Sequence, residues 1–206
     1  MISKKQLEIT LSKLKDFEKP NVSLEQYTTT PEIASEILNF ALLNNDIKDK
    51  VIADLGCGNG ILGIGSLLLG AKKVFFLDKD KDAIKLTKNN LKAIEKEFNI
   101  KFKKSFLNKD VFEFNQKVDV VTQNPPFGVQ KKHADKPFLE KALSISNKIY
   151  SIHKIESEKF IKELAQENNF KLEKIIPFTF PLKPIYRFHK EHRHRVYVGC
   201  FVLSKV

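Results

Sequence analysis

Residues 51–60 read VIADLGCGNG, an apolar run that ends in an acid and then in three glycines at alternate positions. A run of this length bounded by glycine reads as a buried strand. The glycines let the backbone turn tightly and approach a ligand closely. GILGIGSLLLGA (60–71) follows as an apolar helix closed by Gly70. Strand, glycine turn and helix open a parallel α/β sheet.

Outward from this unit the alternation continues. KVFFLD (73–78) is a second strand, DKDAIKLTKNNLKAIEKEF (80–98) a helix, and KFKKSFLN (101–108) a lysine-rich strand suited to a sheet edge. VDVVTQ (118–123) and KIYSIH (148–153) are further strands, with helices over PFLEKALSIS (137–146) and SEKFIKELAQENN (157–169). EKIIPFTF (173–180) and HRVYVGCFVLSKV (194–206) come last and are expected to pair with each other. On the N-terminal side, Leu7, Leu11 and Leu14 predict a helix over 3–17, and residues 18–32 a loop. Thr30-Pro31-Glu32 then carries the signals of a helix start. The pattern predicts a Rossmann-like α/β fold: a seven-stranded, mostly parallel sheet with helices on both faces and an antiparallel last strand. No linker divides the 206 residues. One domain is expected, with residues 1–45 as an N-terminal helical segment and 46–206 as the core.

The chain carries 36 Lys+Arg against 25 Asp+Glu, a formal charge of +11. That excess favours a polyanionic partner, nucleic acid above all. Lysines spread along the whole chain would also arise as a merely solvated surface. Cys57 and Cys200 are too few for a disulfide framework and lack zinc-ligand spacing. No apolar run reaches membrane-spanning length, and the charged N-terminus has no signal-peptide core. A cytoplasmic protein with no metal and no membrane contact is the expectation.

Three acids fall at strand ends. Asp54 precedes the first glycine of Asp54-Leu55-Gly56-Cys57-Gly58-Asn59-Gly60, where it would repel a phosphate and suit a cationic or hydrogen-bond-donating ligand. Asp78, followed by Lys79, is placed to accept both hydroxyls of a ribose. Asp110 can accept from an adenine amino group, with Val111 against the ring. The glycine loop with these acids resembles the S-adenosylmethionine-dependent methyltransferases of the seven-stranded Rossmann-like class. The resemblance implies S-adenosyl-L-methionine as cofactor.

VTQNPPFGV (121–129) follows the fourth strand. Two prolines cannot continue a ladder or a helix. Asn124 would lie at the same sheet edge as the glycine loop and face the methyl donor. A planar conjugated amine is a poor nucleophile because its lone pair is delocalised. Acceptors on its N–H groups, here the Asn124 oxygen and the Pro125 carbonyl, would free that lone pair. Pro125 and Pro126 stiffen them in place, and Phe127 offers a face for a base. The N-P-P-F motif resembles that of amino-methyltransferases acting on adenine N6, guanine N2 or a glutamine amide. It does not say which.

SLEQYTTTPEIA (23–34), QNPPFGVQKKHADKPFLEKAL (123–143), YSIHK (150–154) and YRFHKEHRH (186–194) extend the resemblance over nearly the whole chain. They are similar to the small-subunit ribosomal RNA adenine-N6 methyltransferases of the methyltransferase-like family. That resemblance implies that Gln26, Tyr27 and Thr29 close over the cofactor and that Asn59 and Ile61 line its pocket. Position 28 is Thr where many relatives carry Pro. The resemblance also implies a small zinc-binding activator protein, which could add to the 101–108 edge strand. The lysines there would equally keep the edge solvated. Lys131, Lys132 and His133 in the basic loop after NPPF, and Arg187, His189, Lys190, Arg193 and Arg195, are candidate RNA contacts. The competing readings are a release-factor glutamine methyltransferase, a DNA adenine methyltransferase and a non-catalytic RNA-binding module.

Overall fold

A computed structural model describes residues 2–18, 21, 26–127, 135–181 and 195–206. The chain runs α1 (Lys4–Leu11), α2 (Pro31–Leu43), β1 (Val51–Leu55), α3 (Ile61–Leu68), β2 (Lys73–Asp78), α4 (Lys81–Phe98), β3 (Lys104–Asn108), β4 (Val120–Gln123), α5 (Lys136–Ile145), β5 (Lys148–Lys154), α6 (Glu158–Glu167), β6 (Phe170–Pro181) and β7 (Arg195–Lys205). The sheet has seven strands in the order β3-β2-β1-β4-β5-β7-β6. Strands β1 to β5 pair in parallel, while β7 lies antiparallel to both β5 and β6. The expected single antiparallel strand is therefore β7, and the two last strands do pair.

Alternation along each strand sends its residues to two cores. Ile52, Val74, Phe76 and Val120 pack under α1 to α4. Ala53, Leu55, Leu77 and Val121 pack under α5 and α6. The chain changes faces between β3 and β4, so β1 and β4 are neighbours whose connections leave in opposite directions. Open α/β sheets bind ligands in the crevice at the carboxyl end of such a switch point.

Two elements differ from expectation. Helix α1 ends at Leu11 rather than continuing to residue 17. Asn90 of α4 takes the backbone of Lys15 away from a helix: Lys15 N–H donates to Asn90 Oδ1 at 2.9 Å, and Asn90 Nδ2 donates to Lys15 O at 3.0 Å. The edge strand β3 begins at Lys104 rather than at residue 101. Before it, Phe102 N–H donates to Glu95 Oε1 at 2.9 Å, and Glu95 also pairs with Lys104. Among the described residues, no helix is long and apolar enough to cross a membrane.

Candidate active site

The first strand delivers Asp54 to the switch point. Its side chain lies on the α3 face, 2% exposed, and Oδ2 accepts from Gly63 N–H at 2.9 Å. Burial pushes its carboxyl up to about 8, with Asp78 adding a push in the same direction against the Gly63 bond. A cation placed beside it would reverse that shift.

The glycine loop lies over the ends of β1 and β2. Gly56, Gly58 and Gly60 have φ of +67°, +55° and +86°. Gly58 N–H donates to Asp78 Oδ2 at 3.0 Å, and Asp80 N–H donates to Asp78 Oδ1 at 2.9 Å. Each Asp78 oxygen thus keeps a lone pair for a further donor. Burial raises its carboxyl above the usual range against those two bonds. Asn59 precedes Gly60, the N-cap of α3, and its Oδ1 accepts from Ile61 N–H at 3.2 Å. Ile61 is 5% exposed in the core beneath. Asp110 accepts from Phe112 N–H at 3.1 Å, Val111 is buried, and Lys79 is exposed.

Gly60 meets Thr87 of α4: a Cβ there would lie 2.6 Å from Thr87 Cγ2. Gly60→Ala is therefore expected to destabilise the protein by about 2–4 kcal/mol, from left-handed strain plus overpacking. A lower urea midpoint at unchanged m would register it. Beneath the same loop, the buried Cys57 packs with Sγ 3.6 Å from Thr87 Oγ1.

The fourth strand delivers Asn124. Its Nδ2 donates to Tyr27 O at 2.9 Å and to Thr29 Oγ1 at 3.1 Å. Asn124 Oδ1 is buried and has no hydrogen-bond partner. The amide is thereby fixed with its donors spent on the N-terminal segment and its acceptor buried and unpaired. Tyr27 and Phe127 lie with ring planes 12° apart and centroids 6.0 Å apart. Gln26 bridges the other side, its Nε2 donating to Asp80 Oδ2 at 2.7 Å. Residues 26–29 therefore connect the β2 end to the NPPF turn, while Pro125 and Phe127 are buried and Pro126 half-buried. Lys131, Lys132, His133, Arg187, His189, Lys190 and Arg193 lie outside the described residues, as does the side chain of Arg195.

Asp80, Thr87 and Asn90 also build this site and were not singled out from sequence. Thr87 Oγ1 donates to Gly58 O at 2.8 Å, and Asn90 Nδ2 donates to Asn59 O at 2.9 Å. Thr87 and Asn90 fall on the buried stripe of α4 with Ile84 and Leu91. Two polar residues on an apolar stripe were the available signal.

A doubly wound seven-stranded sheet with a glycine loop, strand-end carboxylates and an amide at its switch point defines a Rossmann-like methyltransferase. The methyltransferase small domain family matches residues 28–172, and the chain belongs to that family. It is 35% identical to the rRNA N(6)-adenosine-methyltransferase METTL5 of Danio rerio, over 91% of each chain. It is 39% identical to an uncharacterized protein of Methanocaldococcus jannaschii, covering 100% of this chain and 96% of that one. The crystal structure of a candidate RNA methyltransferase from Pyrococcus horikoshii superposes with a TM-score of 0.87 at 45% identity, covering 100% of this chain and 99% of that one.

The cofactor is S-adenosylmethionine, and the residues present fit it. Asp54 is a buried acid whose ionised form a neighbouring cation would favour. Asp78 has acceptor capacity for hydroxyls, and the orphaned Asn124 oxygen faces neither solvent nor a protein donor.

Proposed function

We propose that the protein methylates N6 of an adenine in small-subunit ribosomal RNA, with the target base flipped out against Phe127. The observation that carries this reading is the orientation of Asn124: both its donor bonds go to Tyr27 and Thr29, leaving Oδ1 to accept. An acceptor aimed at an amine is what a planar exocyclic nitrogen needs. Oδ1 and the Pro125 carbonyl take its two N–H bonds and draw the nitrogen toward tetrahedral geometry. S-adenosylmethionine supplies an electrophilic methyl on a sulfonium. Asp54 offsets positive charge in the cofactor pocket, and Asp78 accepts from hydroxyls. Positioning carries the catalysis, and Asn124, Pro125, Pro126 and Phe127 hold the acceptor geometry. Residues 1–45 act as a lid on a catalytic core of 46–206.

The METTL5 relatives are named as acting on rRNA adenosine, and the +11 charge agrees with an RNA partner. Lys131, Lys132, His133, Arg187, His189, Lys190, Arg193 and Arg195 are assigned to phosphate contacts. The outer edge of β3 is assigned to a zinc-binding activator, which would add a strand there. The two free cysteines agree with a cytoplasmic setting.

The test is label transfer from S-adenosylmethionine into purified small-subunit rRNA, large-subunit rRNA, adenine-containing duplex DNA and a release-factor glutamine peptide. Label in the small-subunit rRNA alone is expected. Label in the peptide or the DNA alone would replace this reading with the corresponding alternative.

A further inference from the structure

Beneath the NPPF turn lies a chain of buried polar groups that the mechanism above does not use. Gln123 of β4 and Ser151 and His153 of β5 are 0%, 0% and 1% exposed, on the α5 face of the sheet. Gln123 Nε2 donates to Ser151 Oγ at 2.9 Å. Ser151 Oγ lies 2.5 Å from His153 Nε2, and His153 Nδ1 lies 3.0 Å from Asp135 Oδ2. The strand pleat puts Ser151 and His153 on one face, and the parallel register sets Gln123 opposite Ser151. The His153 ring meets Phe201 edge-on at 5.8 Å.

The proton positions follow from the donor inventory. An amide nitrogen only donates, so the Ser151 oxygen accepts from Gln123; with the His153 ring neutral and its proton on Nδ1, the Ser151 proton points at His153 Nε2. A carboxylate only accepts, so the ring proton of His153 is on Nδ1 and points at Asp135. Every donor in the chain thus points from β4 toward α5, an alignment in which buried bonds reinforce one another. This arrangement is not neutral filler, because Gln123 Oε1 is left buried without a partner. An apolar side chain at 123 would avoid that loss.

The ends of the chain give it a role. Gln123 immediately precedes Asn124, and Asp135 is the residue that enters α5. We propose that Asp135, His153 and Ser151 are positioning residues that hold the end of β4, and with it the Asn124 acceptor, against the start of α5. The kinetic part rests on the methyl-transfer reading above; the proton and backbone parts do not.

The experiment has three readouts on the full chain. Nitrogen-15 NMR at neutral pH, with His153→Gln to assign the signal, is expected to show His153 as the neutral Nδ1–H tautomer. An Nε2–H tautomer or an imidazolium would overturn the chain's direction. Hydrogen exchange of Asp135→Ala with S-adenosylmethionine present is expected to rise over residues 121–127 and to stay unchanged over 51–60. No rise there would overturn the positioning role. Single-turnover transfer to RNA by Asp135→Ala is expected to fall about tenfold or more, with cofactor affinity within about twofold. Asp135→Asn keeps an acceptor for Nδ1–H and is expected to restore most of the rate. Equal losses in both variants, or a parallel loss of cofactor affinity, would overturn the proposal. If the unaltered protein transfers no methyl to RNA, the functional reading fails, while the tautomer and the exchange still decide the chain.

Discussion

Asn124→Ala is expected to lower methyl transfer by about 10³-fold while changing S-adenosylmethionine affinity by no more than a few-fold. The rate loss follows from removing one preorganised polar group that acts on the reacting atom, a change worth about 10²–10³ in comparable sites. The Pro125 carbonyl alone cannot take both amine protons. The small effect on affinity follows from the direction of the Asn124 bonds. Its Nδ2 holds Tyr27 O and Thr29 Oγ1 at 2.9 and 3.1 Å, so the substitution loosens residues 26–29 without touching Asp54 or Asp78. Asn124→Asp separates the two roles. It keeps an acceptor but sets a carboxylate against the Tyr27 carbonyl, so the rate is expected to fall less than in the alanine variant and affinity to fall more. Transfer rates under single turnover, with cofactor binding by calorimetry, check both.

Asp54→Asn is expected to weaken S-adenosylmethionine binding by about 30- to 100-fold, the worth of a hydrogen bond to a charged group. It is also expected to remove most of a pH dependence. The Asp54 carboxyl is pushed up to about 8 in the folded protein from 3.8. Between those values the folded state binds a proton that the unfolded state does not. Stability without cofactor should therefore fall as pH rises through that window, by about 1.4 kcal/mol per pH unit in its middle. A positively charged ligand favours the ionised form, so cofactor binding should release a proton and tighten from pH 6 to 8. The asparagine variant should show a flatter stability profile and a cofactor affinity that responds less to pH. Thermal unfolding and calorimetry in buffers of different ionisation enthalpy measure both slopes. A variant that keeps the slopes of the unaltered protein would remove Asp54 from the site.

The parts of the site that sequence revealed were those made by short chain segments. VIADLGCGNG contains its own strand, turn and helix start, and NPPF contains its own rigidity. The mostly parallel sheet with helices on both faces followed from the alternation of elements, and the pairing of the two final strands from their adjacency. What stayed hidden depended on side chains meeting across the fold. The Asn124 amide is oriented by Tyr27 and Thr29, which lie far away in sequence. Nothing in the Leu7, Leu11, Leu14 spacing tells that α1 stops at Leu11, because the Lys15 backbone is bound by Asn90 of another helix. The start of β6 at Phe170, three residues before the apolar alternation begins, comes from pairing with Lys205 through an irregular register near Leu172 and Lys174. His153 reads locally as one more strand residue, and only its contacts with Ser151 and Asp135 set it in a buried polar chain.

A site of this geometry is expected to place a methyl group on an exocyclic adenine nitrogen. The most direct test uses S-adenosylmethionine carrying a deuterated methyl, unmodified small-subunit rRNA and the full chain, followed by digestion to nucleosides and mass spectrometry. Deuterated N6-methyladenosine is expected, absent when Asn124→Ala replaces the unaltered protein. Deuterated methyl on guanosine N2 or on a ring nitrogen, or N6-methyladenosine that persists in Asn124→Ala, would contradict it.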